Sequence, residues 1–307
     1  MSKTCIALDV GGTNIRAAII DAQGKILQQH SYTAQLSQIT GNQQEVEQQV
    51  IEHISANIEV LLGQGENIQH VGIGFPGFFD NQQGHLIASP NMPVIHNFDL
   101  SGQLSKKMNL TVSAQNDALC AAMGEFHYGV GQSSQSLMHI TLGTGVGAGL
   151  VIQGQAYGGD RGMAMEFGHL RMAKTGDYCG CGNIACLETF ASATAVLRRF
   201  NDHSQTSVRT AQEVYQLAKE GDALAKLILS EAGNYLGSAI AEASKLLDIK
   251  HISISGGLCG AWDMIYPYLR QSMEAALIPP MRNNIIVQQS SLGDDAGLLG
   301  AAALVNR

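Results

Sequence analysis

Residues 4–20 read TCIALDVGGTNIRAAII, and residues 136–152 read SLMHITLGTGVGAGLVI. Each stretch is an apolar run, a tight turn of glycine and threonine, and a second apolar run. Such runs bounded by turn residues predict paired strands. In the first copy the strands are expected at 4–10 and 15–21, with a further turn at 22–24 and a third strand at 25–33. Both copies are followed by alternating helical and strand patterns, so the chain is predicted to be a duplicated α/β protein with a cleft between its halves.

Between the two copies, Val46, Val50, Ile54 and Ile58 recur at helical spacing and predict a helix over 44–62. A strand is expected at 68–75, a loop over 76–98, a short helix capped by Asp99 or Ser101, a strand at 111–115 and a helix at 117–128. Residues 129–135 (GVGQSSQ) read as a surface loop. After the second copy, helices are predicted at 188–201, 211–219, 223–247, 262–277 and 296–305, and strands at 250–255 and 284–288.

Composition narrows the class. A chain of 307 residues is long enough for two domains, each with its own core. With 45% hydrophobic residues, 14% charged residues and 35 glycines it reads as compact and rich in close backbone approaches. A net charge of -8 argues against a nucleic-acid surface. No uncharged apolar run reaches the roughly 18 residues of a membrane helix. Six cysteines without a framework spacing, and no signal-peptide pattern, predict a cytoplasmic protein.

Three turns are suited to a nucleotide. Asp9 ends a strand just before Gly11, Gly12 and Thr13, where backbone N–H groups can close around a phosphate. The Asp9 carboxylate can hold the Mg²⁺ that accompanies the phosphates. Thr144 and Gly145 lie in a second turn of this kind, and Gly256 and Gly257 in a third between a strand and a helix. Each alone is an ordinary turn; three at strand ends in both halves point to one nucleotide. Residues 72–77 fit G-x-G-x-x-G, but a proline and a loop follow, and the glycine run at 143–148 leads into a strand. Neither has the context of a dinucleotide fold, and no P-loop motif is present.

Residues 160–188 (DRGMAMEFGHLRMAKTGDYCGCGNIACLE) carry the remaining chemistry. His169, Cys179, Cys181 and Cys186 make a Cys₃His set, the donor complement of a closed structural zinc site. The spacing fits no common zinc finger, so the metal would clip a loop. Glu166 and Glu188 bracket the donors without ligating. Buried small hydrophobes, or a disulfide with a spare thiol, are the alternatives; Gly180 and Gly182 favour the metal loop. Asn116 and Asp117 stand where a strand yields to a helix, as a helix cap or as a base facing the cleft.

Together these residues resemble the ROK family of sugar kinases and sugar-responsive repressors, built on the duplicated actin-like (ribonuclease H-like) two-domain fold. The resemblance runs through residues 9–16 (DVGGTNIR), 76–77, 89–91, 116–117, 142–149 (LGTGVGAG), 166–169 (EFGH), 179–188 (CGCGNIACLE) and 255–257. It implies ATP-dependent phosphorylation of the 6-hydroxyl of glucose or a close relative, with Asp117 as general base. Gly77, Asn91, Asn116, Asp117, Glu166, His169 and Glu188 would contact the sugar. Gly11, Gly12, Thr13, Thr144 and Gly145 would cradle ATP phosphates, and Gly256 and Gly257 would lie by the adenosine. His169 would share its ring between zinc and sugar.

N-acetylglucosamine, N-acetylmannosamine, allose and fructose stay open as substrates. A repressor would carry a helix-turn-helix ahead of the first phosphate motif, where this sequence has three residues before its first strand. A homodimer is the family expectation. The expected division is a small domain of residues 1–116 and 294–307 and a large one of 117–293 carrying the metal loop. Two positions depart from the family pattern: Met165 and Ala185 stand where glycine is usual.

Overall fold

The structure, a computed structural model, describes residues 4–63, 68–80 and 84–306. The chain opens on β1 (Cys5–Val10), β2 (Asn14–Ile20) and β3 (Ile26–Thr33), the meander expected from residues 4–33. β1 and β2 pair antiparallel with Asp9 opposite Arg16, and β2 pairs antiparallel with β3. Helix α1 (Gln43–Leu62) follows. Asn42 accepts from the Glu45 N–H and Glu45 accepts from the Asn42 N–H, a reciprocal cap that fixes its start. Val46, Val50, Ile54, Ile58 and Leu61 form its buried stripe.

The loop expected over 76–98 is instead mostly sheet. After β4 (His70–Phe75), β5 (Phe78–Phe79), β6 (Leu86–Ser89) and β7 (Met92–Phe98) make a separate three-stranded antiparallel sheet. Phe79, Leu86, Met92, Ile95 and Phe98 are buried beneath it. β5 and β6 are too short to show alternation, and in β7 the buried positions Met92, Ile95 and Phe98 recur every third residue rather than every second. Asp99, not Ser101, caps α2 (Leu100–Met108), accepting from the Gly102 N–H at 2.8 Å. β8 (Thr111–Asn116) then leads directly into α3 (Asp117–Tyr128).

The second copy forms β9 (Ser136–Leu142) and β10 (Val146–Ile152), followed by the short β11 (Gln155–Ala156). The helix expected at 188–201 is broken into α4 (Glu188–Ala191) and α5 (Ala193–His203). The buried Ser192 is extended and caps α5, its hydroxyl accepting from the Ala195 N–H at 3.0 Å. The break also frees the Ala193 N–H to bond the Gly143 carbonyl at 2.9 Å. α6 (Ala211–Glu220), α7 (Ala223–Leu247), β12 (His251–Ser255), α8 (Trp262–Ala276), β13 (Ile286–Gln289) and α9 (Ala296–Ala303) complete the chain.

The two five-stranded sheets have the same plan. One has the order β3-β2-β1-β4-β8, the other β11-β10-β9-β12-β13. β1 pairs parallel with β4 and β4 with β8, as β9 does with β12 and β12 with β13. The duplication predicted from the repeated strand-turn-strand is thus present in strand order and direction. No described helix is long and apolar enough to cross a membrane.

The chain divides into two compact units. One comprises Met1–Gln135, Gly149–Ala164 and Ser291–Arg307, the other Ser136–Ala148 and Met165–Ser290. α3 falls in the first unit, on the far side of the boundary expected at residue 116. Its packing on α9 explains why. A Cβ at Gly300 would fall 1.6 Å from the Cys120 carbonyl oxygen, and one at Gly124 2.1 Å from the Ala296 carbonyl oxygen. The two helices touch through their backbones, and both sit within that unit. Gly300→Ala is therefore expected to lower the urea midpoint by an amount equivalent to about 1–3 kcal/mol, the usual cost of overpacking a closed interior.

Candidate active site and metal cluster

In the first unit the predicted residues gather at the ends of β1, β4 and β8. Asn116 is both a cap and a strut. Its side-chain oxygen accepts from the Leu119 N–H at 3.0 Å, and its amide donates to the Gly77 carbonyl at 3.0 Å. Ser89 donates to the Pro76 carbonyl at 2.7 Å, which ties the 76–77 turn to the turn carrying Asn91. Asn91 in turn lies beside Gly12, where a Cβ would sit 3.4 Å from its amide nitrogen. Gly77, Asn91, Asn116, Asp117 and the Gly11–Gly12–Thr13 turn thus share this unit. The Gly11 N–H bonds the Asn14 carbonyl at 2.8 Å, closing the hairpin, while Thr13 is exposed.

Two carboxyls here are strongly perturbed. Asp9 is pushed up to about 6, first by burial and then by the charge of Asp117, against the opposing pull of Arg16. Asp117 is also raised, by burial, although the Ala118 N–H at 2.9 Å favours its charged form. Among the described residues no cation pairs with Asp117. Arg16, opposite Asp9 on β2, reaches instead to the Asp294 carbonyl and the Asp295 carboxylate. Sequence reading left Arg16 without a role, although its place directly across the strand pair from Asp9 was a usable signal.

In the second unit the other predicted residues converge on Val146. Glu188, at the start of α4, accepts from the Val146 N–H at 3.0 Å. A Cβ at Gly145 would fall 2.3 Å from that carboxylate, so the small residue makes room for it. A Cβ at Gly168 would fall 2.1 Å from the Val146 carbonyl oxygen, which seats the Phe167–His169 turn on the same strand. Thr144 lies exposed in the turn. Gly256, at φ 97, abuts the backbone of Leu142 and brings the third glycine turn beside the second; Gly257 is exposed. Behind these turns the fully buried His139 shares hydrogen bonds with Ser253 at 2.7 Å and Ser255 at 2.9 Å. Each serine hydroxyl can donate or accept, so both ring nitrogens are served. Nothing in the local sequence marked it.

His169, Cys179, Cys181 and Cys186 do come together, with one donor atom from each within 4.8 Å of all the others. The Cys181 and Cys186 sulfurs are 3.7 Å apart, and Cys179 Sγ is 3.4 Å from His169 Nδ1. A tetrahedron with metal–sulfur bonds of about 2.3 Å and a metal–nitrogen bond of about 2.0 Å has edges of about 3.8 and 3.5 Å. The donor set therefore fits a tetrahedral ion. The backbone around Asn183 brings the exposed Cys181 thiol down to about 7, while burial raises Cys179 and pushes Cys186 up to about 12; a bound ion would favour the thiolate at all three. On its other side His169 Nε2 is 3.6 Å from the Glu166 carboxylate, and Glu188 Oε1 is 3.8 Å from Cys179 Sγ.

The two departures from the family pattern have a backbone meaning. Met165 has φ 69 and Ala185 φ 55, both in the left-handed region where glycine is the unstrained choice. Ala185 is fully buried against Gly176, and Met165 immediately precedes Glu166.

The ROK family pattern matches residues 5–307. The chain belongs to the ROK family. It is 31% identical to a glucokinase of Thermotoga maritima over 98% of this chain and 96% of that protein. It is 26% identical to the transcriptional regulator NagC of Escherichia coli, over 98% of this chain and 75% of that protein. Among solved structures, a ROK family glucokinase from Streptomyces griseus, in complex with glucose and AMPPNP, superposes with a TM-score of 0.79 at 29% identity, covering 98% of each chain. The structural neighbours of this chain include ROK sugar kinases, and the two similar sheets belong to their two-domain actin-like fold.

Raised carboxyls carry a stability signature. The native protein binds protons that the unfolded chain releases, so stability falls as pH rises from the ordinary carboxyl range to the raised one. For Asp9 that window runs from 3.8 to about 6. In the unliganded protein, Asp9→Asn is expected to gain thermal midpoint over the parent progressively across that window and to hold the gain above it. Asp117→Asn, which keeps an acceptor for the Ala118 N–H, should also raise the midpoint at pH 7. Differential scanning calorimetry from pH 4 to 7.5 measures both.

Proposed function

We propose that this ROK protein is an ATP-dependent sugar kinase acting on the 6-hydroxyl of glucose or a close relative. The reading is supported most by Asp117: a buried carboxyl, raised above its ordinary range and unpaired with any described cation, at the β8–α3 junction and near enough to Asp9 for its charge to raise that acid. A group in that setting accepts a proton more readily than an exposed aspartate does. The full-length likeness to a glucokinase, and to a glucokinase solved with glucose and an ATP analogue, supports a hexose as the substrate.

In this mechanism Asp117 takes the proton of the 6-hydroxyl as that oxygen bonds to the γ-phosphorus. The phosphorus–oxygen bond to ADP breaks in the same displacement. Asn116, held by Gly77 and Leu119, keeps Asp117 in place and offers its own polar atoms to the sugar. Gly77, Asn91, Glu166, His169 and Glu188 are further hydroxyl partners. The turns at Gly11–Gly12–Thr13 and Thr144–Gly145 present backbone N–H groups to phosphates, and Gly256 and Gly257 flank the adenosine. Mg²⁺ near Asp9 would supply charge neutralisation on the phosphates, the main requirement of phosphoryl transfer.

Zinc at His169, Cys179, Cys181 and Cys186 would be structural. It would fix the ring of His169 through Nδ1, leaving Nε2 toward Glu166, and hold the segment between Glu166 and Glu188 in one conformation.

A coupled assay of ADP release over a panel of hexoses, with and without N-acetyl groups, tests the reaction. The parent is expected to turn over glucose or one close relative, and Asp117→Asn to lose roughly 10²–10⁴-fold in kcat. Unchanged turnover in that variant would remove Asp117 from the chemistry. Stripping the metal with a chelator, followed by metal analysis, is expected to raise the sugar's KM before that of ATP. An unchanged sugar KM in protein proven to be metal-free breaks the link between the cluster and the sugar.

A further inference from the structure

The first turn of α9 lies against the carboxylate of Asp9. A Cβ at Gly297 would sit 3.1–3.2 Å from the carboxyl carbon and both oxygens of Asp9, closer than carbon normally approaches them. The segment leading into this turn is held from two directions within the same unit. Arg16, opposite Asp9 on the neighbouring strand, bonds the Asp294 carbonyl and the Asp295 carboxylate. Glu125, fully buried in α3, accepts from the Leu292 N–H at 3.2 Å with one oxygen and from the Val130 N–H at 3.1 Å with the other. Residues 292–297 are thereby pinned to β2 on one side and to α3 on the other, and the Asp9 carboxylate has a fixed wall.

We propose that Gly297 is a positioning residue for Asp9, with Arg16 and Glu125 fixing the turn that carries it, so that the absence of a side chain at 297 sets where the Asp9 carboxylate meets the nucleotide's divalent cation. The inference rests on the reading of Asp9 as the carboxylate nearest that cation. It differs from a packing role in a measurable way. Alanine is the better helix former, so Gly297→Ala favours α9 itself. The flexible Asp9 side chain, rather than the backbone, is what must move to admit the methyl.

The test measures Mn²⁺ binding, in the presence of the ATP analogue AMPPNP, by the electron paramagnetic resonance signal of free Mn²⁺. For Gly297→Ala the expected result is an affinity about tenfold weaker, the scale of a disturbed metal-ligand support. Its thermal midpoint should equal or exceed the parent's, and the sugar's KM should stay the same. Arg16→Met should weaken Mn²⁺ in the same direction, with Arg16→Lys recovering part of the loss. Parent-like Mn²⁺ affinity in Gly297→Ala overturns the proposal, as does an equal loss of sugar affinity or a parent that binds no Mn²⁺ with the analogue. A parent that binds Mn²⁺ with the analogue but phosphorylates no hexose refutes the kinase reading alone. A working kinase with an indifferent Gly297→Ala refutes this placement alone.

Discussion

Where a Cβ on Gly124 would run into the Ala296 carbonyl, and one on Gly300 into that of Cys120, α3 and α9 touch through their backbones. Helices packed at side-chain distance are set about 8–10 Å apart and can adjust by changing rotamers. Helices in backbone contact have no such freedom, because no side chain lies between them to give way. Asp117 opens α3, and the first turn of α9 walls the Asp9 carboxylate. One contact therefore fixes two acids that lie far apart in sequence. The buried α9, apolar on every side, has no other way to meet α3, β1 and β4 at once.

The second unit solves the same problem with side chains. Val146 is the meeting point: its N–H goes to Glu188, its carbonyl is pressed by Gly168, and its turn receives the Ala193 N–H at Gly143. The other oxygen of Glu188 faces the Cys179 sulfur. A single carboxylate thus links the glycine-threonine turn to the four-donor cluster. In the proposed kinase Glu188 would have a further job, since the oxygens holding Val146 and facing Cys179 are the ones a sugar hydroxyl would share. Each oxygen has two acceptor directions, so the assignments are compatible. Its orientation, however, is set by protein contacts before any ligand arrives.

Much of this was legible in the sequence. The repeated apolar run, glycine-threonine turn and apolar run gave the duplication, because strand and turn chemistry are local. The four donors of the cluster were legible because only a few residue types bind zinc, and here they fall within eighteen positions of one another. What stayed hidden was tertiary. Strands of two to four residues at 78–89 are too short to show alternation. Ser192 interrupts a helical pattern because its hydroxyl caps α5 and its break frees Ala193 for Gly143, neither of which periodicity registers. Met165 and Ala185 stood out in the sequence only as replacements of a usual glycine, whereas their positive φ makes them changes of backbone freedom. Arg16 and Gly297 matter through partners at the opposite end of the chain, Asp294 and Asp295 for the first and Asp9 for the second, a relation no window of sequence can contain.

The perturbed acids explain why such support is needed. Burial disfavours charge on both Asp9 and Asp117, and the charge of Asp117 adds to the difficulty at Asp9. A fold optimised for stability alone would place neutral groups there, so these carboxyls oppose the stability of the unliganded protein. In the proposed kinase that opposition would be relieved by what binds: positive charge near Asp9, and a hydroxyl hydrogen directed at Asp117. Arg16 illustrates the balance. Its guanidinium lowers Asp9 by through-space attraction, yet it spends its hydrogen bonds on Asp294 and Asp295. Held one step away, the arginine draws Asp9 down without bonding it, so burial and the charge of Asp117 still leave the acid above its ordinary range.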